Sequence, residues 1–420
     1  MNRYIITRET IRGQEYIISA LYDEDKKMLE VTPSAVGDIS TLGNIYIGKV
    51  ENVVHNLNAA FVKISPTQTC YLSLDDCKNA IFTKKLSDKK ALVAGEELLV
   101  QVSREALKTK DAAVTANLSF AGKYAVLTTG NKKRSVSSKL SRDVRRHYLE
   151  RLEEWKADYG IIIRTNAASA PDESILGEIA ALERRCRQLI TTARYKTCYS
   201  VLYKEEPSYL RHLADLKEGE LEAVITDDRE IFEQICEKYG ILPENLVTGT
   251  SVSTSVDDVA VNASLHIRYY RDEMLSLSSL YSVKTTIEDA LKARVWLKSG
   301  AYLIIEPTEA LTVIDVNTGK NIAKKDMQEN FLKVNREAAE EITRQLRLRN
   351  ISGIVVVDFI NLSAKEAQEE LLRVFRSALK RDPIPTQLVD MTGLGLVEVT
   401  RKKVKKPLSD IFSVEKSAKK

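Results

Sequence analysis

Two apolar runs that each end in an aspartate, separated by one long segment of helical period, constrain this chain more than anything else in it. Leu311-Thr-Val-Ile-Asp315 and Gly353-Ile-Val-Val-Val-Asp358 read as strands. Between them, the stretch from about Lys325 to Arg349 carries Phe331, Val334, Ala338, Ile342 and Leu346 at the spacing of one helix face. Strand, amphipathic helix and buried strand make a crossover, and a crossover joins parallel neighbours. In a parallel α/β sheet the carboxyl ends of the strands lie on one side, where ligands bind. Asp315 and Asp358 are therefore expected within reach of one ion, with Asn317 on the same face as Asp315 by strand alternation.

Two carboxylates and an amide, with no His or Cys nearby, are hard oxygen donors of the kind that suit Mg²⁺, which keeps several waters and binds substrate phosphate directly. Metal-assisted phosphodiester hydrolysis uses such a set. The competing reading is structural: each Asp caps a following turn or pairs with Arg347 or Arg349. The residues alone leave both readings open.

The rest of the chain reads as several units, as 420 residues predict. Strand-like runs at Tyr4–Ile6, Tyr16–Ile18 and Leu29–Val31 open it. From Gly43, five short strands with turn signals and one longer insertion have the look of a small closed antiparallel barrel of the OB type. A compact α/β module follows, with a strand at Tyr124–Leu127, a charged helix around Asp143–Asp158, the strand Gly160–Ile163 and a long helix from about Asp172. Strand and helix alternate again over Leu221–Tyr239, a short helix covers Val283–Ala293, and Tyr302–Ile305 is a further strand. The fold class is multidomain α/β.

No run of apolar residues is long enough for a membrane span, and charges interrupt the N-terminus where a secretory core would lie, so the sequence predicts a soluble, cytoplasmic protein. Five cysteines at wide spacing, without a Cys-x-x-Cys pair or an adjacent His, read as free thiols and support no zinc site. Net charge is only +4, but residues 131–146 hold seven basic and one acidic residue, and Arg401–Lys420 eight and two. Such clusters fit local contacts with a polyanion or solvated loops.

The blocks GNIYIGKV, NAAFVKI, GEELLVQV, GIIIRT, TEALTVIDVNTG, RQLRLRNISGIVVVDFI and GLGLVEVTRKK, in this order from about Gly43 to Lys403, resemble the ribonuclease E/G family. The resemblance implies a single-strand endoribonuclease whose RNase H-like part, in two segments (1–42 and 219–292), carries inserted modules. These would be an OB-type RNA-binding barrel (43–123) and a 5′-end sensor module (124–218). A DNase-I-like catalytic part (293–402) and a basic tail (403–420) would follow.

By the same resemblance Asp315 and Asp358 match the family's magnesium-binding aspartates and Asn317 the asparagine beside them. The implied reaction is in-line attack by a Mg²⁺-activated water, leaving a 5′-phosphate and a 3′-hydroxyl. Glu309 would orient the site or make a structural pair. Arg164 and Thr165 match the 5′-monophosphate pocket, supported by Val126, where a guanidinium fork and a hydroxyl suit a terminal phosphate. Without the resemblance, Arg164 would read as an Arg paired with a surface carboxylate. Phe61 and Tyr71, with Lys110 beside them, match the RNA contacts of the barrel, aromatic faces for unpaired bases and an ammonium for the backbone.

Several positions depart from the family pattern. No cysteine follows Cys236, so the Cys-Pro-x-Cys zinc link between subunits is not expected, and any homo-oligomer would use another surface. Ser137, Ser138 and Lys139 stand where two adjacent arginines are common, Asp111 where glycine is common, and Gly393 where a basic residue is frequent. With no long scaffold arm in the sequence up to Lys420, the ribonuclease G-like type is the expected comparison. The expected function is Mg²⁺-dependent cleavage of single-stranded RNA in rRNA processing or mRNA decay. The alternatives are a non-catalytic RNA-binding protein using the barrel and basic clusters, and a DNA nuclease sharing the metal logic.

Overall fold

A computed structural model describes residues 1–37, 41–88, 91–106, 111–155, 158–216, 218–241, 256–261, 265–319 and 327–413. The chain divides into two compact units, one formed by Met1–Gly37 with Glu218–Lys420 and the other by Asp38–Lys217. Among the described residues no helix is long and apolar enough to cross a membrane.

The first unit holds two six-stranded mixed sheets. In one, the opening strands Asn2–Ile11, Gln14–Tyr22 and Met28–Ala35 form an antiparallel meander. Asn2–Ile11 then pairs in parallel with Leu221–Thr226, so both ends of the split segment share a sheet. The three expected opening strands are present, each longer than its apolar nucleus.

The second sheet runs Arg294–Trp296, Tyr302–Pro307, Leu311–Asn317, Gly353–Asp358, Val397–Arg401, Thr386–Met391. Its middle contains the expected crossover: Leu311–Asn317 pairs in parallel with Gly353–Asp358, and the helix Met327–Leu348 connects them. That helix buries Val334, Ala338, Ile342 and Leu346 against Ile314, Val355 and Val357. The helix Lys365–Leu379 adds Leu371 and Phe375 to the same core. Thr312, Ile314 and Val316 are buried on the core side while Val313 and Asp315 are exposed on the other. Strand alternation thus turns one face of the sheet to the helices and leaves the carboxylate-bearing face open.

The chain after this sheet, read as a basic tail, first packs inward. Leu408 and Phe412 are buried in the core of the first sheet, and the Phe412 ring meets Tyr16 edge to face at 4.9 Å. Arg401, the first residue of the basic run 401–420, is likewise not solvated. Its side chain, 2% exposed, pairs with the fully buried Asp382 at 2.7 Å.

In the second unit five strands close a barrel. Ile45–Val54, Ala59–Lys63, Thr69–Ser73, Ala113–Thr115 and Glu97–Arg104 pair in turn, and the last returns to Ile45–Val54. The barrel was expected to be antiparallel, but Thr69–Ser73 and Ala113–Thr115 run parallel. The intervening strand Glu97–Arg104 crosses to the far side first, so the chain re-enters beside Thr69–Ser73 in the same direction. Ala60, Val62, Cys70, Leu72 and Val114 fill the interior.

The α/β module is a four-stranded sheet, Ser119–Ala121, Ala125–Thr128, Gly160–Ile163, Arg134–Val136, packed with helices Arg142–Glu154 and Asp172–Ala193. Glu178 of the second helix accepts from the backbone N–H groups of Lys123, Tyr124 and Ala125 at 2.8–2.9 Å. Gly122 permits this approach, since a Cβ there would lie 2.4 Å from Glu178.

Candidate functional sites

The parallel register puts Asp315 directly opposite Asp358. Both are exposed at the carboxyl ends of their strands on the open face of the sheet. Adjacent strands lie roughly 4.7–4.9 Å apart, so the two carboxylates face one small volume. Asn317 donates its amide Nδ2 to Asp315 Oδ2 at 2.7 Å, which fixes the side chain of Asp315 and leaves the amide oxygen of Asn317 available.

The arginines named in the structural alternative are engaged elsewhere. Arg347 binds Glu30 at 2.6 Å, and Arg349 is taken by Gln345 at 2.6 Å and the carbonyl of Lys292 at 2.7 Å. Among the described residues no cation pairs with Asp315 or Asp358. Burial in this inward position lowers the Arg349 pKa to about 10. Glu309 lies in the turn before Leu311–Asn317, at the end of that strand away from Asp315.

Sequence reasoning missed what holds Asp358 in place. Asn335, fully buried on the crossover helix, donates to the carbonyl of Ile360 at 2.7 Å and accepts from its N–H at 3.0 Å. This two-way clamp fixes the chain two residues beyond Asp358. The available signal was a polar residue on the apolar face of the helix, one position after Val334.

For a metal, the donor chemistry fits. Among the described residues no cluster of three or more His, Cys, Asp and Glu is placed to hold an ion, so the set here is two carboxylates and one amide oxygen. Mg²⁺ commonly takes one or two carboxylates and completes its shell with water and substrate phosphate.

On the barrel, Phe61 and Tyr71 are register partners on neighbouring strands. Their neighbours Ala60, Val62, Cys70 and Leu72 point into the core, so both rings lie on the outer surface, with Phe61 half-buried and Tyr71 36% exposed. Burial, followed by the nearby Asp111 charge, pushes the Cys70 thiol up to about 11. Lys110 lies outside the described residues.

In the α/β module, Val126 pairs with Ile162, and the Arg164 N–H donates to the carbonyl of Tyr124 at 2.7 Å. Thr165 Oγ1 lies 3.0 Å from Ser137 Oγ. The structure therefore gathers Arg164, Thr165, Val126 and Ser137 at one corner. It also shows the pairing that the residues alone suggested for Arg164, with a surface carboxylate: Arg164 donates Nη2 to the carboxylate of Asp215, and Nη1 to the carbonyl of Gly122 at 2.6 Å. Asn166, donating to the carbonyl of Ala214 at 3.1 Å, holds the end of the helix that presents Asp215.

A crossover sheet with paired carboxylates, and a closed barrel with outward aromatic rings, are the two parts that comparison with known proteins must account for. The chain belongs to the ribonuclease E/G family, whose model matches residues 119–404. It is 31% identical to ribonuclease E of Nostoc sp. over 359 residues, 84% of this chain and 50% of that protein. Ribonuclease E of Synechocystis sp. is 30% identical over 364 residues, 84% and 51% of the two chains. Ribonuclease G of Salmonella typhimurium is 31% identical over 335 residues, 76% and 64%. The chain thus spans about half the length of the ribonuclease E relatives and somewhat more of ribonuclease G.

Proposed function

We propose that this chain is an endoribonuclease that cuts single-stranded RNA with Mg²⁺ held by Asp315 and Asp358. The observation that carries the reading is the register pairing of two exposed carboxylates, one braced by Asn317, with no described cation neutralising them. The names of its relatives supply the substrate class.

When bound, Mg²⁺ supplies positive charge to the phosphoryl oxygens and activates water for in-line attack, with a 5′-phosphate and a 3′-hydroxyl as products. The chain's own residues prepare that site. Asp315 and Asp358 hold the cation, Asn317 sets the orientation of Asp315, and Asn335 fixes the backbone after Asp358. On the barrel, Phe61 and Tyr71 stack on unpaired bases, with Lys110 on the backbone. Arg164, Thr165 and Val126 receive a 5′-monophosphate, which must displace Asp215 from the guanidinium.

In this reading the two-segment sheet of the first unit is RNase H-like, the barrel OB-type and the crossover sheet DNase-I-like. The process served is rRNA processing or mRNA decay.

The test is cleavage of a short A/U-rich single-stranded RNA with a 5′-monophosphate or a 5′-hydroxyl, in Mg²⁺ or EDTA, by the wild type and Asp315→Asn. Metal-dependent cutting lost in the variant supports the nuclease, and faster cutting of the monophosphorylated RNA supports the sensor. Tight RNA binding without cutting would move the chain to the class of non-catalytic RNA-binding proteins.

A further inference from the structure

The open face that carries Asp315 continues onto two outer strands whose side chains have no part in the site described so far. Register sets Arg294 opposite Ile304, and Ile304 opposite Asp315. It also sets Trp296 opposite Tyr302, and Tyr302 opposite Asn317. Two rows therefore cross the sheet side by side, Arg294–Ile304–Asp315–Asp358 and Trp296–Tyr302–Asn317.

Trp296 is 63% exposed. Its ring meets Tyr302 edge to face, with centroids 5.2 Å apart, a contact that leaves much of the aromatic surface uncovered. The Arg294 guanidinium lies 4.7 Å from the Tyr302 ring centroid and 5.7 Å from that of Trp296. Among the described residues no carboxylate pairs with Arg294. The turn after Trp296 is held, since Glu337 of the crossover helix accepts from the Lys298 N–H at 2.6 Å and the Ser299 N–H at 3.3 Å. An exposed indole on a fixed turn, beside a guanidinium that rests on aromatic rings and has no carboxylate partner among the described residues, is equipped for a flat, anionic ligand.

The exposed apolar residues of the same face, Val313 and Ile354, lie toward the other ends of their strands. The aromatic group instead borders the carboxylates, with Trp296 two strand spacings from Asn317, about 10 Å. We propose that Trp296, Tyr302 and Arg294 form a nucleobase platform: an unpaired base of the RNA stacks on Trp296 while Arg294 meets the adjoining phosphate. The neighbouring phosphodiester is thereby placed at Asp315 and Asp358. The assignment rests on the proposed catalytic reading of that pair.

The chain has two tryptophans, Trp155 and Trp296, so intrinsic fluorescence reports stacking directly. The protein is titrated in EDTA with an A/U-rich single-stranded RNA, and with an oligomer of equal length and charge carrying abasic sites. The RNA should quench fluorescence, the abasic oligomer should quench it much less, and the quench should vanish in Trp296→Ala. In Mg²⁺, Trp296→Ala should raise KM about 5- to 100-fold with kcat within a few-fold, and Trp296→Phe should recover most of the loss.

An unchanged KM in Trp296→Ala, or equal quenching by the abasic oligomer, overturns the platform while leaving the catalytic pair intact. A fall in native mass in Trp296→Ala also overturns it, because a second copy of the chain then covers this face. If the wild type binds RNA with base-dependent quenching but never cuts it, the platform stands and the catalytic reading of Asp315 and Asp358 falls.

Discussion

Asp315 and Asp358 sit directly across from each other on adjacent parallel strands, exposed and without a described cationic partner. Two carboxylates one strand spacing apart repel, and a divalent cation relieves that repulsion. Mg²⁺ should therefore raise the melting temperature of the wild type, by an amount equivalent to about 2.7 kcal/mol at a hundredfold excess over Kd. Asp358→Asn should fold normally, lose the Mg²⁺-dependent rise and lose about 10²–10³-fold in kcat. Scanning calorimetry with and without Mg²⁺ checks the first claim independently of activity. An equal Mg²⁺ shift in the variant would place the cation elsewhere.

Asp215 holds the Arg164 guanidinium, the group to which the proposed function assigns a 5′-phosphate. The carboxylate and the phosphate compete for one fork, so removing the carboxylate should favour the phosphate. Asp215→Ala should increase the ratio of cleavage rates for 5′-monophosphorylated over 5′-hydroxyl RNA several-fold. Arg164→Ala should abolish the preference, at a loss of about 1.5–3 kcal/mol for hydrogen bonds to a charged group. The ratio, measured with paired substrates, separates this effect from any general loss of activity. An unchanged ratio in both variants would remove Arg164 from the sensor.

Phe61 and Tyr71 differ in how much of each ring is available. Tyr71 is the more exposed, and stacking is worth about 1–3 kcal/mol per base. Tyr71→Ala should weaken binding of a single-stranded RNA by that amount, whereas Tyr71→Phe keeps the ring and should change Kd less than twofold. Fluorescence anisotropy in EDTA measures both. Equal affinity of wild type and Tyr71→Ala would leave the ring a surface feature of the barrel.

The crossover was legible because its signal is local. Periodicity 2 gives way to a helical period and returns, and the rule for parallel connections then brings Asp315 beside Asp358. The closed barrel was legible for the same reason, as runs of alternating apolar residues, but the direction of its Thr69–Ser73 and Ala113–Thr115 pairing depends on strands far apart in the chain. Long-range partners were not legible. A surface carboxylate for Arg164 was one of the readings its residues allowed, but nothing near it in sequence identifies Asp215, and Arg401 sits in a basic run that fits a solvated loop.

Only the antiparallel register of the last strands brings Arg401 over Asp382, where Asn350 and the carbonyl of Ile351 complete its hydrogen bonds. Asp382→Ala would strand a buried guanidinium and should cost about 3–5 kcal/mol. Urea unfolding followed at this sheet checks it.

Glu96 gives the barrel a pH dependence of definite sign. Its side chain is fully buried at the start of the strand Glu97–Arg104, and burial alone would push its pKa up. The Lys85 ammonium at 2.9 Å and the N–H groups of Val93 at 3.0 Å and Leu86 at 3.2 Å outweigh that cost, holding the carboxyl below its ordinary value of 4.5. A carboxyl with a depressed native pKa contributes stability that is complete above the unfolded-state value and is lost as pH falls through the native one. The protection factors of the Glu97–Arg104 amides, taken against the intrinsic exchange rate at each pH, should therefore fall progressively below about pH 4.5 in the wild type. Glu96→Gln should be less stable by about 1–3 kcal/mol at neutral pH, and its deficit should shrink in acid as the wild type loses the same charge. Hydrogen exchange of that strand across the acid range measures both curves, and a deficit that stays constant with pH would mean that ionisation of Glu96 is not what stabilises the barrel.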